Sequence, residues 1–230
     1  KEVKVTLKKT GTAREIDDYT LPTTITIPQT FFTAQGILEV SITASAVSDN
    51  LNEADENIAV DIDTVVNATE NGVQKRTLII LNDEPLPTVT LSVGSVSINE
   101  EGAGTSTSVI ASLSAVAGRD VTVALAKSGN AIENTDYTLL GTITIPEGDP
   151  SAFVTIVALT DALSEFNETV IIDISDVTNG LEATPAQQRT ITINDNEVLP
   201  TVTLSVADLQ LDEDSGTTTT QVTVTLSTFA

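Results

Sequence analysis

The chain has 230 residues, 40% of them hydrophobic, and its 33 acidic against 10 basic residues leave a formal net charge of -23. That apolar fraction fills cores at a length suited to about two domains, while the charge excludes nucleic acid and anionic membrane surfaces as partners, whose phosphates demand Lys and Arg. With no Cys, His, Met or Trp, the sequence also excludes thiol nucleophiles, zinc sites, disulfides and the histidine general base.

From its start, "VKVTLKKTGTAREIDDYTL" (Val3 to Leu21) aligns with "VTVALAKSGNAIENTDYTL" (Val121 to Leu139). The chain therefore enters a first repeat at that repeat's third strand, and residues 1–84 are expected to form a repeat lacking its first two strands. Repeat one carries six more residues between its "IP" and Asp49 than repeat two between its "IP" and the matching Asp161, in a stretch holding "QTFFTAQG". Phe31 and Phe32 there are expected to plug the bottom of the core, or else to face a partner as an apolar knob. The short linker "PLP" leads into residues 87–197, a complete repeat with seven expected strands near 88–93, 105–114, 120–127, 136–145, 151–159, 168–177 and 188–193. Each alternates apolar and polar residues with many β-branched side chains, and turn clusters such as "EEGAG", "AVAGRD" and "PEGDP" separate them. Seven short strands in about 110 residues is the count of an immunoglobulin-like sandwich. Residues 200–230 match the first two strands again. "TLIILNDEPLPTVTLSV" from Thr77 and "TITINDNEVLPTVTLSV" from Thr190 share 11 of 17 positions without a gap, which fixes the repeat. The expected fold is all-β, a tandem of seven-stranded immunoglobulin-like antiparallel β-sandwiches.

Joining Ala230 to Lys1 would restore the repeat frame but for one residue, the equivalent of Gly118. Two explanations of the shifted frame compete: a longer array cut between strand pairs, or end strands of one molecule completing the open domain of the next, with self-association into filaments. No apolar run approaches the roughly 18 residues of a membrane span, so direct membrane insertion is not expected. "KEVKVTLKK" lacks the hydrophobic segment of a signal peptide, and a chain without Met reads as an internal or processed piece.

The acidic residues gather at particular turns. In repeat two these hold Glu100; Asp136; Asp161, Glu165 and Glu168; and Asp195, Asn196 and Glu197. Repeat one has Asp18, Asp49, Glu53, Glu56, Asn82, Asp83 and Glu84, and repeat three Glu213. Alternate turns of an antiparallel sandwich lie at one end, so these groups are expected to meet at a pole. Two unit charges about 5 Å apart repel by roughly 3 kcal/mol at an effective dielectric near 20. The compensation best suited to hard oxygen donors is Ca²⁺, which takes six to eight oxygens in flexible geometry, where Mg²⁺ demands a stricter octahedron. Turn-forming Asp, Asn and Glu on a solvated surface are the simpler alternative. Glu165 and Glu168 also suggest a glycosidase acid and base, but with 3% aromatic residues no sugar platform accompanies them.

"DYTLLGTITIPEGDPSAFVTIVALTDALSEFNETVIIDISDV" followed by "RTITINDNE" resembles the Calx-β domain, across all of repeat two, most of repeat one and the start of repeat three. The resemblance implies a Ca²⁺ cluster at one end of each sandwich, held in repeat two by Glu100, Asp136, Asp161, Glu165, Glu168 and the run Asp195 to Glu197. In repeat one it implies Asp18, Asp49, Glu53, Glu56 and Asn82 to Glu84. Thr160 and Ala162 beside Asp161, and Asn196 and Asn82 in the terminal runs, thin the acidic pattern of the family, which implies fewer or weaker ions. It further implies a structural, non-catalytic stalk or filament segment of a bacterial cell-surface adhesin, extracellular and suited to attachment or gliding motility, whose partners are calcium ions and neighbouring repeats. The alternative it carries is a calcium-sensing regulatory module like the loop of sodium/calcium exchangers.

Overall fold

A computed structural model describes residues 1–29, 39–213 and 219–227. The described residues contain no α-helix and gather into two compact units, Lys1–Leu86 with Ala115–Arg119, and Pro87–Ser114 with Asp120–Ala230. The first unit contains β1 (Val3–Gly11), β2 (Tyr19–Thr20), β3 (Thr24–Ile27), β4 (Ser45–Ala46), β5 (Glu56–Val66) and β6 (Arg76–Ile80). The second contains β7 (Thr88–Val93), β8 (Ser97–Asn99), β9 (Ser106–Leu113), β10 (Val121–Gly129), β11 (Tyr137–Thr138), β12 (Thr142–Ile145), β13 (Ser151–Ala158) and β14 (Glu168–Thr178). It continues with β15 (Leu181–Glu182), β16 (Gln188–Asn194), β17 (Val202–Val206) and β18 (Val222–Leu226).

The second unit is a sandwich of two five-stranded sheets, ordered β12-β10-β14-β16-β8 and β11-β13-β9-β7-β15. Period-two burial explains why these sequences form it. Val121 and Val123 of β10, Val170 and Ile172 of β14, and Val89 and Leu91 of β7 are fully buried, and the residues between them are more exposed. Each such side chain stabilises the fold by about 1.5–3 kcal/mol. The strand expected at 136–145 is two pieces, β11 and β12, in different sheets; residues 139–141 carry the chain across. The edge strands β8 and β15 pair in parallel with β16 and β7, while the other pairings are antiparallel. Two or three residues are too few to show alternation, so the sequence did not signal these edges.

The first unit repeats the devices of the second. Register slips between Thr6 and Leu7 and again between Ala124 and Leu125. At each bulge an Asp accepts the next residue's amide at 2.9 Å, Asp61 from Ile62 and Asp173 from Ile174. Gly11 and Gly129 end β1 and β10 at φ +141° and +118°, where a Cβ would lie 2.1 Å from the carbonyl oxygen of Asn57 or Thr169. Only glycine fits there.

Its sheet runs β3-β1-β5-β6, and among the described residues β2 and β4 are its only other strands. No described strand occupies the positions of β7 and β9. The core is correspondingly shallow: Leu78 of β6 is 43% exposed, where its counterpart Ile191 is 0% exposed. Residues 39–44, aligned with the first six residues of β13, form no strand. Phe31 and Phe32 lie outside the described residues.

Candidate metal centre

In the second unit the acidic turns converge. Glu100 follows β8, and its amide donates to the Asn194 carbonyl at 3.1 Å. The edge pairing of β8 with β16 thus sets Glu100 beside the residues that leave β16. Glu100, Asp195 and Glu197 each offer a carboxylate oxygen within 4.8 Å of the others. Asp136 precedes β11 and accepts the Ile132 amide at 2.6 Å; with Glu165 and Glu168 it forms a second triad within the same 4.8 Å. Glu100, Asp136, Glu165, Glu168 and Asp195, with Phe166 and Ile193, line one small cavity of about 10 Å³, about the space of one water-sized sphere.

The electrostatics are unfavourable as they stand. Glu100 is buried, 7% exposed. Burial first, and then Glu197, Asp161 and Asp195, push its carboxyl above the usual range, opposed by the Asp161 amide that its Oε1 accepts at 3.0 Å. Glu168 is pushed up to about 7 by burial, by a hydrogen bond shared with Asp136, and by the charges of Asp136, Glu165 and Glu100. Two carboxyl groups in that relation share a proton. Burial and the charges of Asp161, Asp136 and Asp195 raise Glu165, and a hydrogen bond with Asp195 is the first cause raising Glu197. Asp195 Oδ1 is buried without a hydrogen-bond partner, an arrangement that costs free energy unless a proton or cation meets it. The ion pairs Lys9–Glu15 and Lys127–Glu133 use carboxylates outside these groups. A cluster of hard oxygen donors around a space the size of one ion suits a divalent cation of the Ca²⁺ type.

The first unit brings Asp18, Asp49 and Glu53 within 4.8 Å. Glu56 sits beside Asp18 and is raised to about 7 by burial, by a hydrogen bond with Asp18 and by the charges of Asp18 and Glu53, with Arg14 opposing. Asp83 and Glu84 line the same cavity. That cavity is wider, about 340 Å³, and no described residue of this unit holds the position of Glu100.

Several expected residues have structural duties. Asp161 and Asp49 each cap a turn, accepting the amides of Leu163 and Leu51 at 2.7 Å. Asn82 accepts the Glu53 amide at 2.9 Å and donates to the Glu84 carbonyl at 3.1 Å. Asn196 donates to Glu101 at 3.1 Å. Glu213 is exposed and lies in none of the three carboxylate groups.

Two participants were missed by sequence reasoning. Ile80 faces Glu56 and Ile193 faces Glu168, so Asn82 stands where Asp195 does. The Asn82 amide donates to Asp55 at 3.0 Å, and the Asp195 amide to Asn167 at 3.2 Å. One unit pairs Asp55 with Asn82 and the other Asn167 with Asp195, so each pair keeps one carboxylate and one amide. The exchange is visible in the aligned repeats once both positions are read together.

No family model matches the chain, and no curated protein matches it. Among solved structures the chain is similar to the apo form of the Calx CBD1 domain, at 19% identity and TM-score 0.40, over 48% of this chain and 99% of that one. It is similar to calcium binding domain CBD12 of CALX1.1, at 17% identity and TM-score 0.42, over 51% of this chain and 49% of that one. A third likeness is to a protein of solved structure from Bacteroides ovatus, at 10% identity and TM-score 0.39, over 56% of this chain and 44% of that one.

Proposed function

We propose that each sandwich binds Ca²⁺ at its acidic end and that the chain is a non-catalytic stalk or filament segment of an extracellular bacterial surface adhesin. The observation that carries the calcium reading is the small cavity of the second unit, bounded by five carboxylates from four separate segments, one of them bearing a buried oxygen without a partner. Bound Ca²⁺ supplies positive charge and up to eight coordination positions. Glu100 and Asp195 hold the end of β16 to the edge strand β8, while Asp136 fixes the start of β11 and Glu165 and Glu168 the start of β14.

The stalk reading is supported by repetition and by the joints. The acidic runs "NDE" and "NDNE" are followed at once by "PLP" and "VLP", linkers with little conformational freedom of their own. Fixing the residues before them stiffens the joint. In solution scattering the maximum dimension is expected to be longer and better defined with calcium than with chelator; identical profiles under both conditions refute the stiffening.

A further inference from the structure

In β10 the inward-facing row Val121, Val123 and Leu125 continues to Lys127. In the first unit the row Val3, Val5 and Leu7 of β1 continues in the same way to Lys9. A lysine thus stands at a matching place in both units where alternation calls for an apolar residue. Both side chains are largely covered, Lys9 at 9% and Lys127 at 18% exposure, and a covered ammonium requires partners.

The partners are the same in both units. Lys127 Nζ pairs with Glu133 and donates to the Leu139 carbonyl at 3.0 Å; Lys9 Nζ pairs with Glu15 and donates to the Leu21 carbonyl at 2.8 Å. The two attachments lie three residues before and three residues after Asp136, and those of Lys9 lie likewise about Asp18. The loop they hold is closed on itself. The Asp136 amide donates to the Ile132 carbonyl at 2.9 Å and the Asn134 amide to the Tyr137 carbonyl at 2.8 Å, while Asp136 Oδ2 accepts the Ile132 amide at 2.6 Å. Asn134 has φ +67°, and Ile16, at the same place in the first unit, has φ +89°. A β-branched residue is a strained occupant of that region. Ile16 is 77% exposed, so the packing of its own side chain does not impose this conformation, and the attachments on either side are left to hold it.

We propose that Lys127 and Lys9 are positioning residues for the cation sites: from a core strand each ammonium ties down the loop that carries Asp136 or Asp18, so that this carboxylate stands in its triad before an ion arrives. The proposal rests on the calcium reading. It gives a reason for the ion pairs to use carboxylates outside the triads: Glu133 and Glu15 neutralise the lysines and leave Asp136 and Asp18 to the cation. Charge and position make opposite demands here. A nearby positive charge opposes cation uptake, so removing it raises calcium affinity if charge alone counts. If the lysine orients the loop, removing it lowers that affinity. Groups that hold a metal ligand in place are worth about 10- to 100-fold in metal affinity.

The test is a calcium titration of the whole chain followed by amide resonances, which reads the two units separately, together with amide hydrogen exchange in chelator. Lys127→Met keeps the apolar stem and removes the ammonium. The expected result is a loss of about tenfold in calcium affinity at the second unit and none at the first. In chelator the Ile132, Asn134 and Asp136 amides exchange faster by at least about tenfold. Lys9→Met moves the first unit and spares the second. Lys127→Arg, which keeps the charge and the donors, stays within about threefold of the wild-type affinity. Glu133→Gln, at the more exposed end of the pair, speeds the same exchanges and tests the clamp without touching the core. Exchange that is unchanged in Lys127→Met and Glu133→Gln overturns the proposal. So does faster exchange in Lys127→Met with calcium affinity unchanged or raised, or an equal loss of affinity in both units. A wild type that takes up no calcium refutes the calcium reading itself; faster exchange in Lys127→Met then leaves the lysine as a brace of the loop and nothing more.

Discussion

Replacing Glu168 by Gln is expected to change the metal-free and calcium-bound proteins in opposite directions. Without metal, the carboxyl of Glu168 sits at about 7 instead of 4.5, because it is buried and shares a proton with Asp136 among like charges. A rise of that size corresponds to roughly 3 kcal/mol at about 1.4 kcal/mol per tenfold change in proton affinity; partial exposure and the shared proton reduce it to about 1 kcal/mol. A folded value above the unfolded one means that this stability is fully present below pH 4.5 and lost as pH rises through about 7. The metal-free wild type therefore becomes less stable between pH 5 and 8, and Glu168→Gln, which keeps a neutral group there, flattens that loss. In chelator at pH 8 the variant gains about 1 kcal/mol, or a few °C in midpoint; in saturating calcium it is the less stable protein, having lost a ligand. Urea unfolding in chelator and in calcium, at both pH values, reads this directly. A Glu168→Gln variant that is less stable than wild type in chelator at pH 8 would refute the reasoning.

Gly129→Ala forces a side chain into φ +118° and to 2.1 Å from the Thr169 carbonyl oxygen; it is expected to cost at least about 1–3 kcal/mol, measured as a lower urea midpoint of the second unit. Ile191→Ala and Leu78→Ala remove side chains at matching positions with different cover. The first is expected to cost about 2–5 kcal/mol and the second under about 1 kcal/mol, since Leu78 is already 43% exposed; equal losses in thermal unfolding would contradict the open core of the first unit.

The strands of the second unit were legible because alternation reports burial directly. Val121, Val123, Val170 and Ile172 are apolar at every second position and are the residues that the sandwich encloses. The break at residues 139–141 was not legible, since "DYTLLGTITI" alternates on both sides of it and only packing decides that its halves join different sheets. The edges β8 and β15 carry too few residues for a pattern. The acidic turns were visible as composition and as matching sets in two repeats. Their division into two triads was not, because it depends on the parallel pairing that sets Glu100 against the end of β16. Nor did the sequence distinguish carboxylates facing the cavity from those spent on turns: Asp161 looks like its neighbours, and only the amide of Leu163 shows what it holds.

Titrating Ca²⁺ into the chelator-treated chain in a calorimeter, beside the same titration of an Asp136→Asn, Asp195→Asn double variant, addresses the cation site most directly. The expected outcome is a saturable binding heat for the wild type that falls by at least one ion in the variant, with no comparable heat from Mg²⁺. A wild type that takes up no calcium, or a variant that binds as the wild type does, would leave the carboxylates of the second unit as charged turns and contradict the account.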